Sequence, residues 1–271
     1  MRKARGFTLI ELIVVMTVIG MLAGIVSVFI RNPMEAYMAG TRRAELVDIA
    51  DTALAHLTRE VHGALPNSLR VTLSGGAYYL EFLPVQDGGR YRAELTGAGT
   101  GNVLDFTSGA DSSFDVLGPQ VTASAGQYLV IYNLGLDASS DAWQGDNRRT
   151  VTSVGSVATL AFTATGAPFP LESPGKRFYL TGGPVSYVCD PAAGTIRRYW
   201  GYALQSAQPT SFASGSNALL ASRVKDCRFA YDPGAAASMG QLTTWIQLEN
   251  AESGTPEQVS LYRELAVNND A

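Results

Sequence analysis

Residues 1–30 read MRKARGFTLIELIVVMTVIGMLAGIVSVFI, and this stretch decides the architecture of the chain. Three cations among the first five residues precede an apolar run that is long enough to cross a bilayer, since a membrane-spanning helix needs about 20 apolar residues. Glu11 is the one charged residue inside that run. Because an ionised carboxylate in the hydrocarbon costs several kcal/mol, Glu11 indicates a functional site with a cationic partner.

Two simpler interpretations of this stretch compete with that one. A secretory signal peptide has a shorter apolar region that ends at a small-residue cleavage site, whereas the small residue here lies at the start of the run, as Gly6 before Phe7. An ordinary single-pass anchor would require Glu11 to be protonated or to reach the membrane surface. The full-length run argues against the first interpretation, and the second leaves the acid without a role.

Residues 6–11 read GFTLIE and follow a short basic leader. This pattern resembles the N-terminal motif of the type IV prepilin and pseudopilin superfamily. The resemblance implies that a membrane-embedded prepilin peptidase removes residues 1–6 by cutting between Gly6 and Phe7, and that the same enzyme methylates the new Phe7 amine. It also implies that Glu11 is an assembly carboxylate, which pairs with the cationic Phe7 amine of a neighbouring subunit.

The composition of the 271-residue chain limits the classes of function. Its 28 glycines and 20 lysines plus arginines suit a turn-rich β protein better than a helical bundle. The formal net charge is −4, and it becomes more negative once the three leader cations are removed. An acidic chain without a basic run argues against nucleic acid as a partner, because phosphate binding needs clustered Lys and Arg. The leader cations predict a cytoplasmic N-terminus and an exported C-terminal part.

The segment after the apolar run has a helical pattern. Apolar residues recur at spacings of three and four and form one stripe, while charged residues occupy the other faces. Pro33 is expected to kink the helix, and Pro66 is expected to end it. We therefore predict a transmembrane or filament-core helix over residues 7–30 and an amphipathic stem helix over residues 31–66. The predicted stripe consists of Val47, Ala50, Leu54, Leu57 and Val61.

Residues 67–271 are predicted to form a β-rich head, which makes the fold class α+β. Residues 68–73 and 77–85 flank Ser74-Gly75-Gly76 and indicate a hairpin. Residues 241–249 alternate in polarity and indicate a strand with one buried face. Further strands are predicted over residues 88–95, 127–133, 149–154, 157–165, 176–180, 185–189, 195–202, 224–231 and 258–267.

The predicted head contains two cysteines and no histidine. A disulfide between Cys189 and Cys227 is the economical interpretation in an exported domain, whereas zinc binding would need a paired spacing that two lone cysteines lack. His56 and His62 both lie on the predicted stem, so the head cannot assemble a Ser-His-Asp or Cys-His site. We expect solvated or docking-face histidines and no enzymatic activity.

Three carboxylates crowd one predicted loop of the head, residues 137–147. Asp137, Asp141 and Asp146 could hold Ca²⁺ through hard oxygen ligands in a flexible loop. Their spacing is not that of an EF-hand, so a solvated surface turn is the preferred interpretation. We predict no metal and no cofactor.

The head also carries features of one branch of the superfamily. Residues 184–190 (PVSYVCD), 198–202 (RYWGY) and 265–269 (LAVNN) are similar to minor pilins of MSHA-type pilus biogenesis, which are related to J-type minor pseudopilins. The resemblance implies a single-pass inner-membrane protein with a periplasmic head, later inserted into a pilus at its initiation or its tip. It implies as partners the prepilin peptidase and methyltransferase, other minor and major pilins, and an inner-membrane assembly platform with a separate ATPase.

Two other classes of function remain open from the sequence. The first is a minor pseudopilin of a type II secretion or DNA-uptake system, and the identity of neighbouring genes would separate it from a pilin. The second is a membrane-anchored binding or hydrolase domain. That class would need a convergent carboxylate pair or an aromatic groove in the head.

Overall fold

The computed structural model describes residues 6–234, 239–250 and 256–270, apart from the side chains of Arg31 and Asn32. Residues 1–5, which make up most of the predicted leader, lie outside the described residues. One long helix is followed by a head of antiparallel sheets, so the predicted α+β class is confirmed.

Helix α1 spans Leu9–His62, and its 54 residues make it about 80 Å long at 1.5 Å per residue. It begins after Thr8, whose Oγ1 accepts a hydrogen bond from the Glu11 N–H at 3.3 Å. Pro33 lies inside the helix without ending it. The apolar run and the amphipathic segment therefore form one continuous element.

The C-terminal end of α1 comes before Pro66, the residue that the sequence predicts as its end. Gly63 is the C-cap, and its N–H bonds to the Glu60 carbonyl at 3.1 Å. The residues that follow join the head, because the Leu65 N–H bonds to the Leu83 carbonyl at 2.7 Å. Pairing with the head therefore replaces the last predicted helical turn.

The second half of α1 docks on the head through its apolar stripe. Four of the five predicted stripe residues are buried, namely Ala50, Leu54, Leu57 and Val61. Val47 is a wrong prediction, because its side chain is 44% exposed, and Leu46 is fully buried in its place. Leu46 and Val47 both have helical spacing to Ala50, at four and three residues, so only the position of the head decides between them.

The strands of the head are short except for the last three. They are β1 (Arg70–Ser74), β2 (Ala77–Phe82), β3 (Val85–Tyr91), β4 (Ser113–Leu117), β5 (Val121–Ala123), β6 (Tyr128–Val130), β7 (Arg148–Thr150), β8 (Gly155–Val157), β9 (Thr159–Ala161), β10 (Arg177–Thr181), β11 (Val185–Asp190), β12 (Thr195–Trp200), β13 (Ser216–Ser222), β14 (Val224–Asp232), β15 (Met239–Asn250) and β16 (Glu257–Asn268). Over the described residues they pair as β1-β2-β11-β12-β13, β7-β6-β10-β3-β4-β9, β14-β15-β16 and β5-β8.

Two of the predicted β features are confirmed in detail. The hairpin β1-β2 places Ser74 opposite Ala77, and the two turn glycines between them, Gly75 and Gly76, have φ of 60° and 84°. Such a turn of two left-handed residues matches the twist of the flanking strands. In β15 the buried face carries Leu242, Thr244, Ile246 and Leu248, as the alternation predicts.

The sequence prediction differs from the structure at short and edge strands. Residues 157–165, predicted as one strand, are divided between β8 and β9, and β3 begins before residue 88. Strands β4, β5 and β13 are not predicted from the sequence. Strand β13 lies at the edge of its sheet with most residues exposed, so its sequence lacks the alternation that marks a half-buried strand.

Two main hydrophobic cores hold the described part of the head. The first lies between α1, the five-stranded sheet and the three-stranded sheet, and the second is formed largely by the six-stranded sheet. The predicted disulfide is present inside the first core and joins Cys189 of β11 to Cys227 of β14. It therefore attaches the three-stranded sheet covalently to the five-stranded one.

Candidate functional site

The first turn of α1 places Glu11 at the third helical position after the N-cap Thr8. Thr8 has an extended backbone, with φ −87° and ψ 151°, and its hydroxyl receives the Glu11 N–H. Thr8 is not among the residues predicted from the sequence, although Thr-x-x-Glu before an apolar run is the signal of a capping box. The helix N-terminus also favours a negative charge at Glu11, because the helix dipole is positive there.

The Glu11 carboxylate is available to another molecule. Its residue is exposed, and within residues 6–234, 239–250 and 256–270 no cation forms an ion pair with it. The helix dipole stabilises the carboxylate only in part, because the surrounding side chains are apolar. A cation from outside this described chain would complete the site.

The predicted cleavage bond lies just outside the helix. Gly6 and Phe7 precede α1, both are exposed, and no other atom lies within 4 Å of the position that a Gly6 Cβ would take. Phe7 is one residue before the N-cap Thr8. The structure thus brings Gly6, Phe7 and Glu11 to one end of the helix, and cleavage and methylation stay predictions.

The first half of α1 has no partner within the described fold. Among the described residues, α1 is the one helix long and apolar enough to cross a membrane, and its most apolar stretch has no buried residue. Its exposed side chains include Leu12, Val15, Ile19, Leu22 and Ile25. Such a surface is compatible with a single-pass membrane anchor and equally with a helix packed among other apolar helices.

The second half of α1 is attached to the head by a polar cluster beside the apolar stripe. The Tyr187 hydroxyl donates to Glu60 Oε2 at 2.8 Å, and Arg198 Nε donates to the same oxygen at 2.9 Å. His56 Nδ1 lies 2.9 Å from the Tyr187 hydroxyl. Burial is the main reason that the pKa of Tyr187 is raised, and the nearby Glu60 carboxylate raises it further. The hydroxyl therefore stays protonated and can keep donating its hydrogen bond.

The two histidines have different environments. His56 is half-buried at the stem–head junction and takes part in the polar cluster, whereas His62 is exposed at the end of α1. His56 therefore lies on the docking face of the stem. The contact between His56 and Tyr187 spans 131 residues of sequence, so helical periodicity alone cannot identify it.

Ion pairs connect other parts of the stem to the three-stranded sheet. Arg42 Nη2 lies 2.9 Å from Glu257 Oε1, and Arg263 Nη2 lies 2.8 Å from Asp51 Oδ1. The exposed Arg263–Asp51 pair contributes about 0–1 kcal/mol. The Arg42–Glu257 pair is part-buried, because Glu257 belongs to the buried residues of the head. Both pairs orient the helix on the head, while the buried stripe supplies most of the stability.

Carboxylates of the acidic loop, residues 137–147, accept hydrogen bonds from groups of the same loop. Asp137 Oδ1 accepts hydrogen bonds from Ser139 and Ser140, and these bonds lower the pKa of Asp137. Asp141 Oδ1 accepts from the Trp143 N–H at 3.0 Å, and Asp146 offers its backbone carbonyl to Arg149. Within the described residues, no group of three or more His, Cys, Asp or Glu side chains is arranged to hold a metal ion.

Comparison with known proteins adds information on the N-terminus alone. Residues 1–27 match the family model of the prokaryotic N-terminal methylation motif. Neither the curated proteins nor the solved structures give a match to the chain. The matched residues include Gly6, Phe7, Thr8 and Glu11 and do not reach the head. The chain therefore carries the N-terminal methylation motif, which supports a protein of the type IV pilin and pseudopilin kind.

Proposed function

We propose that the chain is a minor pilin of a type IV pilus of the MSHA type that resembles the minor pilin MshO, and that it acts in initiation or at the tip of the filament. The observation that carries this proposal is the unpartnered apolar half of α1 with a single carboxylate in its first turn. The match to the methylation motif supports the same conclusion.

The assembly step follows from the charges at the start of α1. Removal of residues 1–6 leaves a cationic Phe7 amine, and methylation keeps its charge. In a medium of low dielectric constant, this amine on one subunit and Glu11 on the next attract each other strongly. Packing of the apolar helix halves buries both charges, so each needs the other.

The proposed location and partners follow from this assembly step. The N-terminus faces the cytoplasm, where the leader is cut by the prepilin peptidase and methyltransferase, and the head lies in the periplasm before extraction into the pilus. Other minor and major pilins are the packing partners, and an inner-membrane platform with a separate ATPase supplies the work. The chain itself has no enzymatic role and no nucleic-acid partner in this proposal.

The intact mass of the chain, isolated from the membrane of its native host, tests the processing step. We expect a chain that begins at Phe7 and carries one extra methyl group. A Gly6→Leu variant is the matched control and should keep its leader, because a bulky side chain would then lie directly beside the bond that the peptidase has to reach. An intact Met1 in the parent chain, or cleavage near Ser27, would contradict the proposal.

Immunogold labelling of sheared fibres tests the proposed position. A head that spans residues 67–271 is bulky for a subunit repeated tightly around a filament, so we expect label at fibre ends. Label spaced along the whole fibre would contradict tip placement. The pseudopilin alternative shares the N-terminal motif, and it would be favoured if the chain never appeared in the fibre fraction and secretion failed in its absence.

A further inference from the structure

A groove of about 600 Å³ lies at the seam between the three-stranded and five-stranded sheets. Its walls include aromatic, charged and hydroxyl side chains, namely Tyr78, Asp226, Arg228, Thr243, Trp245 and Tyr262. The volume is within the range of about 300–1,000 Å³ that is usual for small-molecule sites. The groove is far in sequence from the N-terminal motif and has no role in the proposed assembly.

Strand register and the disulfide build this groove. Arg228, Trp245 and Tyr262 are direct cross-strand neighbours in β14, β15 and β16, so their side chains form one row on the outer face of the sheet. Tyr78 belongs to the other sheet and is paired with Cys189, which is bonded to Cys227 of β14. The disulfide thus holds the Tyr78 wall next to the row.

Two polar groups of the groove, the Arg228 guanidinium and the Trp245 indole N–H, are not used by the described fold. Among the described residues, Arg228 makes no ion pair or side-chain hydrogen bond, and the Trp245 indole N–H has no acceptor. One oxygen of Asp226 accepts the Cys227 N–H at 2.7 Å, and no cation pairs with the carboxylate. The Tyr262 hydroxyl donates to Glu264 and is held in place by it.

We propose that this groove binds a neutral oligosaccharide of pyranose rings. Trp245 and Tyr262 offer adjacent aromatic surfaces with polar edges, and the apolar face of a sugar ring can pack against such surfaces. Asp226 accepts and Arg228 donates hydrogen bonds in planar geometry, which suits the neighbouring hydroxyls of a sugar. The groove carries one carboxylate and one guanidinium, and the Glu264 carboxylate accepts from the Tyr262 hydroxyl, so these charges do not favour an anionic ligand.

Addition of a β-strand from another protein fits this seam less well. Strand β14 is an edge strand, and it is protected there by the charged residues Lys225, Asp226 and Arg228. Its register also shifts between Val224 and Asp226, which bends the edge away from a straight partner strand. A ligand recognised by side chains rather than by backbone pairing is therefore favoured.

Isothermal titration of the full chain in detergent micelles tests the proposal, with maltotriose, cellotriose and chitotriose as probes. We expect at least one of them to bind, and we expect Trp245→Ala and Arg228→Ala each to weaken its Kd by about tenfold or more. Arg90→Ala is the matched control, because Arg90 is also an exposed strand arginine without an ion pair among the described residues. That variant should keep the parent Kd.

Two outcomes overturn the proposal. The first is the absence of heat from all three trisaccharides up to millimolar concentration. The second is binding that Arg228→Ala and Trp245→Ala leave unchanged, since the sugar would then lie elsewhere. If Trp245→Ala lowers the melting temperature of the head, Arg228→Ala alone decides, because its side chain is exposed and supports no described contact.

Discussion

The two halves of helix α1 share one backbone and differ in what surrounds them. From Leu9 to about Ile30 the helix is apolar on every face, and none of its side chains is buried by the described fold. In the second half, Leu46, Leu57 and Val61 are buried against the head, and polar residues face solvent or form ion pairs. Helical propensity alone therefore does not explain both halves.

This difference separates assembly from folding along a single element. The head stabilises only the half whose apolar residues form a stripe, because a stripe can be buried against one surface. The first half needs apolar surroundings on all sides, which only lipid or other helices supply. A substitution in the first half should therefore affect assembly and leave the head stable, and a substitution in the second half should do the reverse.

Glu11→Ala should have the largest effect. We expect the amount of the chain in sheared fibres to fall by at least about tenfold, because the Phe7 amine of the neighbouring subunit would be buried without a partner. The melting temperature of the head should not change. Glu11→Gln tests the charge alone, since it keeps the length of the side chain and loses the charge. Glu35→Gln is the control, because Glu35 lies on the exposed helix beyond the apolar run. If Glu11→Ala reached the parent amount in sheared fibres, the electrostatic model would be wrong.

Replacement of both cysteines, Cys189→Ser with Cys227→Ser, should lower the free energy of unfolding of the head by about 4 kcal/mol. The estimate follows from the sequence separation of 38 residues and the chain entropy of the unfolded state. Denaturant unfolding measures the change, and the oxidised and reduced parent chains provide the control. Leader removal should persist, since the N-terminal half makes no contact with this pair; an unchanged midpoint would show that the bridge adds no stability.

Leu57→Ala and Leu22→Ala compare the two halves directly. Leu57 is 1% exposed against the head, so its truncation should cost about 3 kcal/mol of unfolding free energy. Leu22 is 55% exposed, and its truncation should leave head stability unchanged. Urea unfolding followed by head tryptophan fluorescence measures both. Equal destabilisation by the two variants would contradict the division of the helix into two halves.

Thr8→Ala should have the smallest effect. Loss of the N-cap hydroxyl should destabilise the first turn of α1 by about 1 kcal/mol and speed amide hydrogen exchange at Glu11 in micelles. Thr17→Ala is the matched control, because the Thr17 hydroxyl bonds to the Val14 carbonyl inside the helix and caps nothing. Faster exchange in both variants alike would show that Thr8 has no special role.

The structural features that the sequence predicts well are those whose causes lie in residues close together along the chain. The apolar run, the GFTLIE motif and the glycine turn between β1 and β2 all have their causes within a few residues. The disulfide is predicted correctly because the two cysteines allow only one intramolecular pairing. Edge strands such as β13 escape prediction, since an exposed strand needs no alternation of apolar residues.

Other features depend on residues that are far apart in sequence. The cluster of Glu60, Tyr187 and Arg198 joins the stem to strands more than 120 residues away. The groove around Trp245 combines residues from both sheets and depends on how the disulfide brings them together. Neither arrangement has a local pattern that would reveal it.

The sequence alone determined that this chain begins with an apolar helix that carries one acid and continues as an amphipathic stem before a β-rich head. Those properties follow from the composition of each segment and from the spacing of its apolar residues, and both can be read from neighbouring residues in the sequence. Only the tertiary structure decided that Leu46 rather than Val47 faces the head, that Tyr187 and Arg198 share Glu60, and where the two sheets meet. Helical geometry allows either Leu46 or Val47 to extend the apolar stripe, and only the packing of the head against α1 decides which of them is buried. The contacts of Glu60 likewise depend on where the head places Tyr187 and Arg198.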